Sequence, residues 1–135
     1  MVHTRPMDTA TLEGIGAFSG LTREELEKLA SWTFEVEVPA GEELTKEGRL
    51  AQEFFVIDEG AAEVRRDGER IAELGAGDFF GEIGLLEGGT RTATVIATTP
   101  LRLIVMSAQE FRRMEQELPA VADRVHSAIR ARLDS

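Results

Sequence analysis

Glycine is concentrated in the middle of the chain, and this distribution limits the possible folds more than any other feature. Ten of the thirteen glycines lie between Gly41 and Gly89. Glycine weakens helices and permits the positive φ angles that tight turns require. A segment with a glycine every few residues therefore predicts short strands joined by turns, which build a small antiparallel roll or barrel.

The residues between these glycines have strand patterns. Phe34 to Val38 alternates apolar and acidic residues, which predicts a strand with one solvent-facing side. Phe54 to Ile57 is continuously apolar, as in a buried strand. Asp67-Gly68 stands between two short runs and predicts a hairpin with a two-residue turn. Further strands are predicted at about 42–45, 93–97 and 101–106.

Helical patterns flank the glycine-rich segment on both sides. Thr22 and Glu25 have the spacing of a capping box, and Ser107 and Glu110 repeat it. Pro119 either ends the helix that follows Ser107 or begins the next one. Apolar residues then continue at helical spacing: Val121, Val125, Ala128, Ile129 and Leu133.

These patterns predict one α+β domain that spans residues 1–135. Helices are expected at about 9–31 and again at about 107–134, with an antiparallel β-roll at about 33–106 between them. Trp32, the chain's one tryptophan, is expected in the core.

Ligand-binding chemistry is concentrated in one short stretch of the roll. Gly81 and Gly84 flank Glu82 and Ile83 at the start of an apolar turn, whose free backbone N–H groups suit an anion. Arg91 follows nine residues after Glu82, and its guanidinium is a planar fork of donors for phosphate oxygens. Glu82 would repel a phosphate but can accept hydrogen bonds from sugar hydroxyls. Together these groups predict a pocket for a ribose phosphate, although Glu82 and Arg91 could also form only a surface ion pair.

Residues 77–95 resemble the phosphate-binding cassette of cyclic nucleotide-binding domains. They read GDFFGEIGLLEGGTRTATV, and the family pattern is F-G-E-(L/I)-(A/G)-L-L followed, after a short gap, by R-(S/T/A)-A-T. In that family the glutamate holds the ribose 2′-hydroxyl, the arginine pairs with the cyclic phosphate, and backbone amides with the residue after the arginine complete the cradle. The resemblance carries these ligand-binding roles to Gly81, Glu82, Ile83, Gly84, Arg91 and Thr92. Thr90 departs from the family, because many members have proline before the arginine.

The resemblance implies a fold, a ligand and a moving part. The fold is a jelly-roll-like double-stranded β-helix flanked by helices, and the ligand is cyclic AMP or cyclic GMP, between which Thr92 does not decide. In the family, the last helix closes over the nucleotide base as a lid. In this chain, the residues of the last predicted helix that could contact a base are Arg124, His126, Arg130 and Arg132. Of these, His126 is expected to be a solvated helix residue.

Composition excludes several other functions. The net charge of −10 and the pI of about 4.7 argue against nucleic acid as a partner, because the basic residues do not cluster. The chain has no cysteine, and its two histidines, His3 in the N-terminal tail and His126 in a late helix, do not form a metal site. No serine or threonine has an evident histidine partner for nucleophilic catalysis, so no catalytic residue, metal or resident cofactor is expected. No apolar run is long enough to span a membrane and no secretory signal is evident, so a cytoplasmic location is expected.

Two functions remain after these exclusions. In the first, the chain is a stand-alone sensor of cyclic AMP or cyclic GMP, because no second domain follows its last predicted helix. Such a sensor would act through an unidentified protein partner or by forming a homodimer. In the second, the domain keeps the fold but binds no nucleotide, and serves as a protein–protein interaction module.

Overall fold

The computed structural model describes residues 3–45, 53–80 and 93–134 of the 135-residue chain. Its strands, numbered β1 to β9, are His3–Pro6, Thr33–Val38, Glu43–Thr45, Glu53–Glu59, Ala62–Arg66, Glu69–Leu74, Phe79–Phe80, Thr94–Ala97 and Leu101–Ser107. Its α-helices, numbered α1 to α4, are Thr9–Glu13, Arg23–Ser31, Ala108–Glu117 and Pro119–Asp134. A short 3-10 helix, Gly16–Phe18, lies between α1 and α2.

The strands form two antiparallel sheets. The larger sheet has five strands in the order β1-β2-β9-β4-β7, and the smaller has four in the order β3-β8-β5-β6. The predicted α+β class and antiparallel roll are therefore confirmed. The central strands β4 and β9 are apolar along most of their length, because both of their faces are covered.

Each face of the larger sheet packs on its own apolar cluster. On one face lies the helix-side cluster, which comprises Leu12, Ile15, Phe18, Leu26, Leu29, Trp32, Phe54, Val56, Phe79, Ile104, Met106, Phe111, Met114, Leu118 and Val121. On the other lies the roll cluster, which comprises Val38, Phe55, Ile57, Ala62, Leu74, Phe80, Val95, Ala97, Leu101, Leu103 and Val105. Neighbouring residues of β4 and β9 alternate between the two clusters, because successive side chains of a strand point to opposite faces.

Several local predictions are confirmed. Strands β5 and β6 are joined by Asp67 and Gly68, which have φ angles of 54° and 80°, as a tight two-residue hairpin turn requires. The Thr22 side chain accepts a hydrogen bond from the Glu25 amide, and the Glu25 side chain accepts one from the Thr22 amide. Pro119 is the first residue of α4.

The prediction of a wet face on β2 was wrong. Phe34 is 56% exposed, whereas Glu35 is only 8% exposed. Glu35 pairs with Ile104 on the helix side of the sheet, where its carboxylate lies 3.4 Å from the Arg102 guanidinium. The alternation identified which residues share a face, but a strand between two neighbours, with layers on both sides of the sheet, does not have one uniformly wet face.

The assignment of His3 to an N-terminal tail was also wrong. His3–Pro6 forms β1, which pairs with β2 from His3 opposite Glu37 to Pro6 opposite Phe34. Proline lacks a backbone donor and is tolerated on such an edge strand. Since so short a segment has no periodicity of its own, its structure comes from the neighbouring strand.

Candidate functional site

The stretch that contains the predicted ligand residues connects the two sheets. Strand β7 belongs to the five-stranded sheet and β8 to the four-stranded sheet, and residues 81–92 lie between them in the chain. Gly81, Glu82, Ile83, Gly84, Arg91 and Thr92 all lie outside the described residues. The structure therefore defines the site by the residues on either side of it.

The chain before this stretch is fixed by a turn against β4. The carboxylate of Asp78 accepts a hydrogen bond of 2.8 Å from the Gly75 amide, which closes the turn on itself. The Gly77 amide donates to the Ile57 carbonyl, and the Ile57 amide donates to the Asp78 carbonyl, each at 2.8 Å. Because the turn and β4 exchange two backbone hydrogen bonds, the start of β7 is held against β4.

Phe80, the last residue of β7, attaches this strand to the core through its contact with Phe55. Phe80 is buried, and its ring stacks on that of Phe55 with centroids 4.8 Å apart and an interplanar angle of 12°. Phe80 is the last described residue before Gly81. The predicted glycine-rich turn therefore begins directly after a side chain that is held in the roll cluster.

The chain after the stretch is fixed by strands on both sides. Strand β8 lies between β3 and β5, with Val95 opposite both Thr45 and Val64. The Thr45 hydroxyl is 3.1 Å from the carbonyl oxygen of Ala93, the first described residue after Thr92. Sequence reasoning identified neither Thr45 nor Asp78 as important for the site, because a hydrogen bond to a distant backbone group leaves no sequence pattern.

Two of the four candidate base contacts on the last helix, Arg124 and His126, contact other protein groups. Arg124 donates a hydrogen bond to the backbone carbonyl of Ser19, next to the 3-10 helix. His126 was predicted to be solvated, but its side chain is 29% exposed and its Nε2 atom lies 3.0 Å from Glu115 Oε2 on α3. The prediction for His126 was therefore wrong. The side chains of Arg130 and Arg132 are outside the described part of the molecule.

A charged cluster surrounds Arg102 on the large sheet. Arg102 on β9 is within 4 Å of four carboxylates, those of Glu35, Glu37, Asp58 and Glu59. Glu59 is the main cause of the raised pKa of Arg102; burial opposes the increase. Since the cationic form is favoured, Arg102 stabilises the fold while the surrounding carboxylates are ionised, and this contribution is lost as the pH rises through the arginine range. Four carboxylates around one guanidinium make this cluster unsuitable for an anionic ligand.

Two kinds of feature are absent from the described residues. Among residues 3–45, 53–80 and 93–134, no three histidine, cysteine, aspartate or glutamate side chains are grouped as metal ligands. Across the same ranges, no helix combines the length and apolar character that crossing a bilayer demands.

Comparison with known families gives a match over most of the chain. Residues 35–117 match the family model described as the cyclic nucleotide-binding domain. This range includes the whole of the stretch from residue 77 to residue 95.

Individual proteins agree with the family match. A cyclic nucleotide-gated potassium channel of Rhizobium etli is 36% identical over 88 residues, which are 65% of this chain and 24% of the channel. A cAMP-dependent protein kinase regulatory subunit of Emericella nidulans is 33% identical over 112 residues, which are 82% of this chain and 27% of the subunit. The chain thus spans about a quarter of the length of these curated relatives.

A solved structure resembles the fold over a similar range. The catabolite activator protein of Thermus thermophilus superposes with a TM-score of 0.77 at 28% identity, covering 87% of this chain and 58% of that protein. Its similarity extends beyond residues 35–117 and so includes part of the flanking helices or β1.

Proposed function

The chain belongs to the cyclic nucleotide-binding domain family, and we propose that it binds cyclic AMP or cyclic GMP through the stretch between β7 and β8. In this proposal Arg91 pairs with the cyclic phosphate and Glu82 accepts a hydrogen bond from the ribose 2′-hydroxyl. Backbone amides of Gly81, Ile83 and Gly84, with the Thr92 side chain, complete the cradle.

The observation that carries the proposal is the coincidence of three features in one segment. The family match includes this segment, its glutamate and arginine have the family spacing, and the described strands fix the chain on both sides of it. Two of the relatives have names that refer to cyclic nucleotides, one gated by them and the other dependent on cAMP. Since the net charge is −10, a phosphate must be attracted within the pocket and not by the protein's overall field.

We further propose that the domain is a cytoplasmic sensor whose last helix responds to the nucleotide. The start of α4 is held in the helix-side cluster by Leu118 and Val121, and Arg124 and His126 link it to neighbouring helical segments. A ligand that binds more tightly when this helix is closed over the base would increase the population of the closed state. The signal would then pass to a protein partner or to a second copy of the chain.

A thermal-shift experiment tests the binding site. We expect millimolar cyclic AMP or cyclic GMP to raise the melting temperature, because a ligand at a hundred times its Kd stabilises the folded state by about 2.7 kcal/mol, which corresponds to roughly 10 °C for a domain of this size. Arg91→Glu should abolish the rise. Glu82→Ala should reduce it more gently, because this change removes one acceptor to a neutral hydroxyl, which contributes about 1 kcal/mol.

The matched control is Arg112→Glu, which makes the same charge change at an exposed position of α3. This variant should keep the full thermal response. A response that survives Arg91→Glu would refute the site, and a response lost equally in both variants would point to overall charge. If neither nucleotide stabilises the wild-type protein, the interaction-module interpretation is favoured instead.

A further inference from the structure

Thr45 is a buried polar residue that the proposed binding function does not use. The residue is only 7% exposed, and its hydroxyl lies 3.1 Å from the carbonyl oxygen of Ala93, 48 positions away in the sequence. A threonine hydroxyl can donate one hydrogen bond, and a backbone carbonyl can only accept. The contact therefore joins the end of β3 to the backbone that leads into β8.

An irregularity in the pairing of β3 with β8 brings this hydroxyl into position. Glu43 is opposite Ile96 and Thr45 is opposite Val95, so β3 advances two residues while β8 advances one. Such a bulge rotates the following side chain relative to a regular ladder. Glu43 is exposed and Thr45 is buried, although a regular strand would place both on the same face.

The residue that Thr45 holds is adjacent to the proposed phosphate ligands. Ala93 follows Arg91 and Thr92 directly in the chain. Because each peptide unit is planar, only a few backbone dihedral angles separate a fixed Ala93 carbonyl from the Cα atom of Arg91. A guanidinium binds phosphate well only when its planar fork is correctly oriented, so the direction of this short segment affects affinity.

We propose that Thr45 is a positioning residue for the nucleotide phosphate. It binds the Ala93 carbonyl through its hydroxyl and thereby fixes the backbone directly after Arg91 and Thr92. This inference deepens the proposed function and depends on it for the identity of the ligand. Thr45 itself does not contact the nucleotide in this account.

Thr45→Val tests the hydroxyl, because valine has nearly the same shape but cannot donate. We expect the Kd for cyclic AMP or cyclic GMP, measured by isothermal titration calorimetry, to rise about fivefold to tenfold, as for the loss of one hydrogen bond. Thr45→Ser restores a donor at the same position and should return the Kd to within about twofold of the wild-type value.

The matched control is Thr33→Val. Thr33 is 3% exposed and its hydroxyl donates to the Leu29 carbonyl at 3.0 Å, where α2 joins β2. Both valine variants lose a buried hydroxyl with a backbone partner, so urea unfolding followed by circular dichroism should show losses of similar size. Only Thr45→Val should weaken nucleotide binding.

The outcomes separate this inference from the proposed function. An unchanged Kd in Thr45→Val, or an equal loss of affinity in Thr33→Val, would overturn the positioning role. If the wild-type protein binds neither nucleotide, the proposed function fails, and hydrogen exchange of peptides covering residues 89–97 then tests Thr45 alone. Faster exchange in Thr45→Val than in Thr33→Val supports ordering by Thr45, and equal exchange rates exclude it.

Discussion

The helix-side cluster and the roll cluster share the two central strands, but they join different parts of the chain. The helix-side cluster extends from Leu12 to Val121 and contains side chains from α1, α2, α3 and α4. The roll cluster extends only from Val38 to Val105 and is built from residues of the strands. The first therefore connects the two ends of the chain, whereas the second holds the strands on both sides of the predicted ligand segment.

This difference suggests a division of roles within one small domain. Phe54 and Phe55 are adjacent on β4, yet Phe54 contacts Phe111 of α3 and Phe55 stacks on Phe80 beside the ligand segment. A shift of β4 would therefore reach both regions at once. If the proposed nucleotide binding is coupled to the helices, the path between them is no longer than the thickness of one sheet.

The largest expected effect comes from removing one large side chain on each side of the sheet. Phe111 and Leu103 are each 1% exposed, one in each cluster. We expect Phe111→Ala to lower the free energy of unfolding by about 3–5 kcal/mol and Leu103→Ala by about 2–5 kcal/mol, because each leaves a cavity. Urea unfolding measures both values.

Hydrogen exchange shows whether the two losses are local to their clusters. Phe111→Ala should increase exchange most in α4, and Leu103→Ala should increase it most in β8 and in the β5–β6 hairpin. The same exchange pattern in both variants would mean that the clusters unfold as one unit and do not have separate roles.

An intermediate effect is expected at Gly60, where β4 leads into β5. Its φ angle is 107°, and an added Cβ atom would overlap the Pro100 carbonyl oxygen and lie 2.8 Å from Leu101 Cδ2. We expect Gly60→Ala to cost about 3 kcal/mol, because backbone strain and a clash beside the roll cluster act together.

Gly68 is the matched control for strain without a clash. Its φ angle is also positive, at 80°, but an added Cβ would meet nothing within 4 Å. Gly68→Ala should therefore cost only about 1 kcal/mol in thermal or urea unfolding. Equal losses at the two positions would show that the packing near Pro100 is not important.

The smallest expected effect concerns the contact of α4 with α3. His126 lies 3.0 Å from Glu115, and both side chains are 29% exposed. We expect His126→Gln to reduce stability by about 0.5 kcal/mol, as is usual for a partly exposed pair. A double-mutant cycle with Glu115→Gln measures the coupling energy between the two side chains. A value near zero would show that this contact does not help to hold α4.

The sequence predicted those features that depend on neighbouring residues. Asp67 and Gly68 specify the hairpin by their own backbone preferences, and Thr22 and Glu25 specify a helix start within a single turn. The strand at the N-terminus and the burial of Glu35 depend on partners far along the chain, and the sequence analysis predicted neither. Turns and helix caps can be predicted from neighbouring residues without knowledge of the fold, whereas which face of a strand is buried depends on how the layers assemble.

The same distinction applies to the candidate site. The spacing of Glu82 and Arg91 predicts ligand chemistry directly, since those side chains would contact the nucleotide themselves. The role of Thr45 could not be predicted, because it depends on a bulge and on a backbone group 48 residues away. The ligand residues themselves remain a prediction, which the binding experiments test.

The β5–β6 hairpin offers a practical consequence for following this molecule in solution. Its turn residues are exposed, and the chain has no native cysteine. A single thiol introduced at Glu69, which is also exposed, would be the only one available for attachment of a fluorophore. Paired with the intrinsic emission of Trp32 in the helix-side cluster, such a dye would give an energy-transfer distance between the roll and the helices.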